Sequence, residues 1–317
     1  MRRIGLIVLM VVALGVLASA GPWTEVASLN VARVKARACV VDGKIYVIGG
    51  TDPDKNPAPV EVFDPRAGVW EILGPSPENV SMPCVAAVGG TIYVLAGRTL
   101  DKVRLLTGYM WTPGSGELAW TPVPGHMSMA HGDGACAVIG TKIYLISGED
   151  DTLTNEGEDY VKVVDVLDTT TLTWSTAAPI TPHQREDFDA VAVGNKIVCL
   201  GGQGGPAQSP LAWLDIYDAV TDTWTFYEDG APFPWEHPRL AAVGGTVYAL
   251  TGKGEGGFTN MRLDLETMTW QRLTPPPVPV FECAVVALDG KIYVIGGKDL
   301  DGNVLNKVWV YDPQAEE

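Results

Sequence analysis

The sequence predicts an all-β protein, specifically a six-bladed β-propeller of four-stranded antiparallel blades. Three observations predict it: a strand-turn-strand signature occurs six times, a tryptophan recurs about every 50 residues, and the two ends of the chain supply complementary parts of one blade. The 317 residues exceed the roughly 100 to 150 of a typical domain, so the chain is either two ordinary domains or one large repetitive one.

Each copy of the signature joins an apolar strand to a second strand through a tight two-residue turn. The turn pairs are mostly Asp-Gly and Gly-Gly, which tolerate the positive φ of such hairpins. The second strand alternates β-branched and aromatic residues and ends in Gly, which predicts two paired strands per copy. The copies are VVDGKIYVIGG (40–50), AVGGTIYVLAG (87–97), VIGTKIYLISG (138–148), AVGNKIVCLGG (192–202), AVGGTVYALTG (242–252) and ALDGKIYVIGG (287–297).

A tryptophan strand follows the signatures, and an Asp-led turn usually precedes it by six residues. The second copy lacks this Asp and reaches Trp120 through Gly114, which predicts a remodelled turn there. A buried Trp removes about 150 to 250 Å² from water, so we expect these side chains to pack between neighbouring blades rather than to stack on a ligand. The repeated tryptophans are Trp23, Trp70, Trp120, Trp174, Trp224 and Trp270.

The chain ends predict how the ring closes. The sixth copy has three strands and stops shortly after Tyr311, whereas residues 22–29 match the outer strand of the other copies. Pairing these segments removes the open sheet edges that invite aggregation. We therefore expect one domain over residues 21–317, with an N-terminal strand at about 22–29 completing the sixth blade.

Residues 1–20 have the pattern of a signal peptide. A basic head at Arg2 and Arg3 precedes an apolar run over 4–17, and residues 18–20 are Ala-Ser-Ala, a small-residue cleavage site. The alternative is an uncleaved anchor, but about 17 apolar residues are at the short limit for spanning a bilayer. The prediction is an extracytoplasmic protein, secreted or periplasmic, that is not inserted in the membrane after cleavage.

Composition excludes some partners. The 22 Lys and Arg against 38 Asp and Glu give a net charge of −16, which repels nucleic-acid phosphates and anionic lipid. Four histidines without an H-x-x-x-H spacing and five cysteines without C-x-x-C offer little for a metal centre, so no metal and no cofactor are expected. The acidic loop 149–159 carries several carboxylates, but it lacks a recognised calcium-ligand spacing.

The cysteines predict no repeated disulfide, because they fall at different offsets in the repeats. We interpret them as small buried apolar residues. An odd number in an exported monomer leaves at least one thiol unpaired.

The repeat itself resembles the kelch repeat over residues 22–313. The resemblance rests on the glycines after the second strand, such as Gly49-Gly50 and Gly296-Gly297, on a Tyr in that strand, such as Tyr46, and on the spaced Trp. It implies the propeller fold, here in an exported, bacterial-type member. It implies little about activity, since kelch propellers include protein-binding modules, sugar oxidases and mutarotases.

Strand order places the candidate site on one end of the ring. Loops that enter strand one and loops that join strands two and three share that end, and they are the long and varied ones. Ten residues before the first aliphatic residue of strand two (Ile45 in the first copy), the aligned copies have Lys35, Met82, Asp133, Asp187, His237 and Glu282. Eight residues before it they have Arg37, Cys84, Ala135, Asp189, Arg239 and Ala284. The even spacing predicts that both rings face one mouth of the central channel.

Two loops in this region mix acids, bases and aromatics most densely, at 185–189 and 235–239. The candidate ligand-binding residues are Arg37, Asp133, Arg185, Glu186, Asp187, Asp189, Trp235, Glu236, His237, Arg239 and Glu282. An alternative is that these charges merely pair with each other and hydrate the mouth.

The expected function is an exported, non-catalytic propeller, monomeric, that binds a protein or carbohydrate ligand through this mouth. The alternative is a cofactor-free sugar mutarotase or epimerase, similar to periplasmic N-acetylneuraminate epimerases. In that case Arg185, Glu186, Glu236, His237 and Arg239 would be the candidates for acid-base work.

Overall fold

The computed structural model describes residues 21–150, 160–204, 208–254 and 259–316. The proposed signal peptide at 1–20 and most of the acidic loop, residues 151–159, lie outside the described residues. Six separate four-stranded antiparallel sheets form the fold, as the sequence predicts. No helix within the described ranges is long and apolar enough to cross a membrane.

The first two strands of each blade form a hairpin, and the first strand lies innermost. The innermost strands are Arg37–Val41, Cys84–Val88, Ala135–Ile139, Asp189–Val193, Arg239–Val243 and Ala284–Leu288. The second strands are Lys44–Ile48, Thr91–Leu95, Lys142–Ile146, Lys196–Leu200, Thr246–Leu250 and Lys291–Ile295. Asp42-Gly43 and Asp289-Gly290 have positive φ at both positions, which confirms the predicted tight turns.

The outer two strands complete each blade. The third strands are Val60–Asp64, Gly108–Trp111, Val164–Asp168, Leu214–Asp218, Asn260–Asp264 and Val308–Tyr311. The fourth strands are Val69–Gly74, Thr121–Pro122, Thr173–Ala177, Thr223–Tyr227, Thr269–Leu273 and, for the sixth blade, Trp23–Val26. The second blade has the shortest outer strand, where the sequence predicts a remodelled turn.

Short elements lie between the blade strands. They are the paired strands Gln203–Gly204 and Ser209–Pro210, the paired strands Trp235–Glu236 and Lys253–Gly254, and the 3₁₀ turns Pro77–Asn79 and Pro313–Ala315. The strand at 235–236 lies in one of the two loops that the sequence singles out.

The hydrophobic core lies between neighbouring blades. One cluster, for example, joins Tyr293 and Val308 of the sixth blade to Phe63 and Trp70 of the first. The repeated tryptophans also donate an indole hydrogen bond to a backbone carbonyl of the segment before the blade, as Trp70 does to Ala27 at 2.8 Å and Trp224 to Ala178 at 2.8 Å. Their predicted packing role is thus confirmed.

The glycine that ends strand two shapes the channel mouth. Gly50 has a φ of +81°, and a Cβ added there would lie 2.2 Å from the carbonyl oxygen of Val34. The loop that enters strand one can therefore close over the end of strand two, and the equivalent glycines of other blades make the same approach. This contact fixes the position of the residues that follow Val34.

Candidate functional site

Six residues at one end of the channel share an unusual backbone conformation. Lys35, Met82, Asp133, Asp187, His237 and Glu282 have φ between 51° and 63°. Backbone hydrogen bonds join neighbours in this set: Lys35 N donates to Glu282 O at 2.8 Å, and His237 N donates to Asp187 O at 2.9 Å. The first predicted ring therefore exists, and backbone hydrogen bonds join its members in two runs of three neighbours. The even-spacing argument for it was wrong, because the chain is left-handed rather than extended at these positions.

The mouth is cationic where the sixth, first and second blades meet, because Lys298 and Arg98 add to Lys35 of the ring. The Lys35 and Lys298 Nζ atoms lie 3.5 and 3.0 Å from the carboxylate of Glu282. Burial alone would raise the pKa of Glu282, but these two ammonium groups hold it below its usual value. Arg98 lies 3.5 Å from Asp133 at the border with the third blade.

The ring is acidic at the third and fourth blades. Carboxylate oxygens of Asp133, Glu149 and Glu186 lie within 4.8 Å of one another. Burial, together with the charges of Asp187 and Glu149, raises the pKa of Glu186 to about 9, and burial also raises the pKa of Asp133. Glu186 therefore keeps a proton at neutral pH and presents a carboxylic acid to the mouth.

His237 lies between two carboxylates on the fifth blade. Its Nδ1 is 3.0 Å from Asp187 Oδ1, and its Nε2 is 3.2 Å from Glu236 Oε1. Burial alone would lower the pKa of His237, but Asp187 and Glu236 raise it above its usual value. These three side chains could also hold a metal ion by spacing. The raised pKa favours the protonated, cationic form of the imidazole.

The second predicted ring lines the neck of the channel below the mouth. Arg37, Asp189 and Arg239 face a cavity of about 110 Å³. Burial and the charge of Arg239 lower the pKa of Arg37 to about 10. The Arg239 guanidinium donates at 3.0 Å to the carbonyl oxygens of Cys283 and Pro238. The channel widens further down into an apolar section of about 370 Å³ that is lined mainly by Ala and Val.

Two of the predicted site residues do not reach the mouth. Arg185 is 0% exposed, and its guanidinium donates to Asp215 at 2.5 Å. Trp235 is also 0% exposed, and its indole donates to the carbonyl of Thr251 at 2.7 Å. Both occupy the position two residues before the ring, where the side chain points into the blade. Both side chains are held by hydrogen bonds within the blade, beneath the mouth residues.

Buried hydrogen-bonded pairs at this position, two of them between Arg and a carboxylate, were missed from the sequence. Arg33 binds Glu61 at 2.5 Å and His131 binds Asp165 at 3.0 Å, in the same way as Arg185 binds Asp215. Each acid lies three residues before the Asp that leads the turn into the outer strand, so a signal for these pairs was present. Glu61 also accepts hydrogen bonds from the backbone of Asn30 and Val31, which anchors the segment that enters the first blade.

A further set of mouth residues was also missed. These residues directly follow the glycine of strand two, and most of them form a backbone bridge to the residue before the ring. They are Thr51, Arg98, Glu149, Gln203, Lys253 and Lys298. Gln203, for example, donates from Nε2 to Glu186 at 3.0 Å and to Asp187 at 3.1 Å.

Two of the five cysteines form a disulfide, whereas the sequence analysis interprets all five as small buried apolar residues. Cys84 and Cys136 form a disulfide between the innermost strands of the second and third blades. Their offsets in the repeat differ by one residue, and neighbouring blades nevertheless bring the two sulfur atoms together. Cys39, Cys199 and Cys283 are buried free thiols, as expected.

Two models of kelch repeats match the chain. The KLHDC2/KLHL20/DRC7 Kelch-repeats domain matches residues 82–276 and 133–317, and the Kelch motif matches 32–77. The Kelch-like protein terF of Aspergillus terreus is 26% identical over 274 residues, which cover 82% of this chain and 56% of terF. Kelch-like protein 35 of Mus musculus is 22% identical over 291 residues, which cover 92% of this chain and 32% of that protein.

The human relative Kelch-like protein 25 is 25% identical over 214 residues, which cover 64% of this chain and 34% of that protein. The chain thus spans about half or less of the length of these relatives. They come from a fungus and from mammals, so the comparisons do not confirm the expected bacterial-type origin.

Proposed function

Because the chain belongs to the kelch-repeat family, we propose that it is an exported, non-catalytic propeller that binds a protein segment through the charged mouth. The observation that carries the proposal is the division of the mouth into a cationic half and an acidic half. Charges fixed in opposite halves orient a ligand that carries both signs, and such complementarity gives specificity.

Unsatisfied polar atoms support a binding role for the mouth. Asp133 is 5% exposed, and its Oδ1 has no hydrogen-bond partner in the structure, whereas Oδ2 faces Arg98. A buried carboxylate oxygen without a donor is costly, and a ligand N–H or O–H would remove that cost. The alternative, in which the charges pair with each other and hydrate the mouth, assigns this role to water.

Exposed apolar side chains favour a protein ligand over a carbohydrate. Leu100, Val103 and Leu106 of the second blade and Leu300 of the sixth are each at least 40% exposed. Leu100 also lines the cavity beside the cationic half of the mouth. A peptide with one apolar side chain would cover such a surface, whereas a sugar ring prefers an aromatic face.

Two features support export. Residues 1–20 have the composition of a signal peptide. The Cys84–Cys136 disulfide fits an oxidising compartment, because disulfides are rare in the cytosol. Analysis of the mature N-terminus by mass spectrometry tests this part of the proposal, and an intact Met1 in an internal fraction would contradict it.

Ligand screening tests the binding role. A displayed peptide library and a glycan array are screened with the protein, and the selected ligands are measured against variants. We expect Lys35→Ala and His237→Ala to weaken binding by about tenfold or more, the loss that follows removal of a hydrogen bond to a charged group. Lys196→Ala, beside the tight turn at the opposite end of the fourth blade, is the control. Equal losses in all three variants would refute the assignment to the mouth.

The protonated Glu186 keeps a second candidate function open. A carboxylic acid at neutral pH beside the carboxylate of Asp187 is an arrangement suited to proton exchange on a sugar ring. A mutarotation assay on sialic acids and common sugars decides between the two functions. Turnover that Glu186→Gln abolishes would replace the binding proposal with a cofactor-free mutarotase or epimerase.

A further inference from the structure

A cavity of about 470 Å³ opens beside the ring where the sixth, first and second blades meet. Three loops of similar form surround it, at 52–56, 99–103 and 299–303. In each loop the first residue's N–H donates to the carbonyl of the residue four positions later, as in Asp52 to Asn56 at 2.9 Å and Thr99 to Val103 at 2.9 Å. The cavity is therefore formed by short loops, each closed by a hydrogen bond within the loop.

The cavity is strongly cationic in a strongly acidic protein. Two carboxylates line it, Asp52 and Glu282. Its five cationic lining residues are Lys35, Lys55, Arg98, Lys102 and Lys298. The local balance is 5 − 2 = +3, against −16 for the whole chain. A local field of this sign attracts anions against the overall charge.

Pairing with carboxylates leaves part of this excess in place, although Arg98 is matched by Asp133 at 3.5 Å. Glu282 is shared by two lysines, Lys35 and Lys298, so that one positive charge remains. The Asp52 carboxylate accepts hydrogen bonds from the backbone and side-chain amide of Asn56, at 2.8 and 3.1 Å, and thereby stabilises its own loop. Lys35 and Lys298 are 26% and 30% exposed, so their ammonium groups are held at the cavity wall but remain accessible.

The donors in the cavity suit a tetrahedral oxyanion better than a carboxylate. Four of the five cations are lysines, compact point charges that can each meet a different oxygen, and a tetrahedral ester group offers three terminal oxygens where a carboxylate offers two. Thr51, Ser81 and Thr99 add hydroxyl groups to the lining. The Thr99 Oγ already accepts from Val103 N at 3.2 Å, so its O–H remains a donor.

We propose that this cavity binds a tetrahedral oxyanion, a phosphate or sulfate ester, on the ligand of the mouth. The inference rests on the proposed binding role and names the chemical group that the cationic half recognises. The exposed side chains of Leu100 and Leu300 beside the cavity would contact the part of the ligand that carries this group.

Titration with inorganic phosphate, sulfate and acetate at constant ionic strength tests the proposal without a known partner. Binding is followed by chemical-shift changes of the backbone amides of Ser81, Arg98 and Lys298. We expect saturable changes with phosphate or sulfate and much weaker ones with acetate. Comparison of phosphoserine and sulfotyrosine peptides then distinguishes the two sources of the group.

A matched pair of variants locates the site. Lys298→Met removes a cation 3.0 Å from Glu282 at the cavity, and Lys291→Met removes one 3.0 Å from Asp312 at the other end of the same blade. We expect the first variant to weaken phosphate or sulfate binding by about tenfold and the second to leave it unchanged. Absence of saturable binding, acetate binding as tight as that of phosphate, or equal loss in both variants would overturn the inference. Peptide binding at the mouth that persists without any anion effect would overturn it while leaving the proposed function intact.

Discussion

Trp23 lies directly opposite Tyr311 in the sixth blade, and their ring centroids are 4.9 Å apart. The pair joins the first described strand to the last one, and four residue pairs continue the register from Trp23–Tyr311 to Val26–Val308. The indole of Trp23 also donates to Thr274 O at 2.9 Å, which ties this strand to the fifth blade. The N-terminal strand thus closes the ring in two directions.

Deletion of residues 21–30 tests this closure. The deletion exposes the hydrogen-bonding edge of Val308–Tyr311, so we expect a loss of several kcal/mol in the free energy of unfolding, or aggregation. Thermal unfolding measures the loss. Thr24→Ala, which changes an exposed side chain within the same strand, is the control and should melt with the unaltered chain. A deletion variant with unchanged Tm would refute closure by this strand.

The architecture could be predicted because it depends on features that recur. Turn pairs such as Asp42-Gly43 need positive φ, and spaced residues such as Trp70 need a neighbouring blade to pack against, so six imperfect copies support one answer. Alignment of the copies also located the ring at the mouth. The alignment placed Lys35 and Glu282 in the ring correctly, although their backbone is left-handed rather than extended as expected.

The site was predicted less well because it depends on side-chain direction and loop shape. Arg185 and Glu186 are neighbours in sequence, yet one points into the blade and the other into the mouth. The Cys84–Cys136 disulfide depends on how far apart two blades lie, which a single repeat does not encode. The cationic cavity needs three loops from three blades in register, and sequence spacing alone does not give that arrangement.

The buried ion pair of the first blade should be worth far more than an exposed one. Arg33 is 1% exposed and Glu61 is 0% exposed, so Arg33→Met leaves an unpaired carboxylate in the interior. We expect a loss of about 3 to 5 kcal/mol in the free energy of unfolding, measured with urea. Lys44→Met, which removes the partner of Asp64 at the surface, is the control and should leave the urea midpoint unchanged. Similar losses of stability from both variants would contradict the larger contribution of the buried pair.

The disulfide should contribute substantially to stability. Cys84 and Cys136 are 52 residues apart, and closing a loop of that length corresponds to about 4 kcal/mol in the chain-entropy description. We expect reduction to lower Tm in the unaltered chain and to have no effect in the variant Cys84→Ala/Cys136→Ala. Thiol titration of the denatured, unreduced protein should find the three free cysteines. Five reactive thiols in the protein isolated under oxidising conditions would contradict the disulfide.

Glu186 should make stability depend on pH in a defined direction. Its pKa is about 9 in the folded protein, against a usual value of 4.5, so the folded state holds a proton that the unfolded chain has already released. Between these two values the unfolded state binds fewer protons, and stability therefore falls as pH rises. The stabilising contribution is fully present below pH 4.5 and is lost as pH rises toward 9.

The variant Glu186→Gln isolates this effect, because the amide stays neutral at every pH. We expect the Tm of the unaltered protein to fall relative to that of Glu186→Gln between pH 5 and pH 9, and the variant to be the more stable of the two at pH 8. Glu71→Gln, an exposed carboxyl on the outer strand of the first blade, should follow the unaltered protein throughout. Glu186 faces Gln203 and lies beside Asp133. If Glu186→Gln and the unaltered protein had parallel Tm profiles, Glu186 would be ionised at neutral pH, because water reaches the acidic half of the mouth. That outcome would remove the proton that the mutarotase alternative requires. Glu186 and its neighbour Asp187 would then both be ionised, and neither could act as the acid.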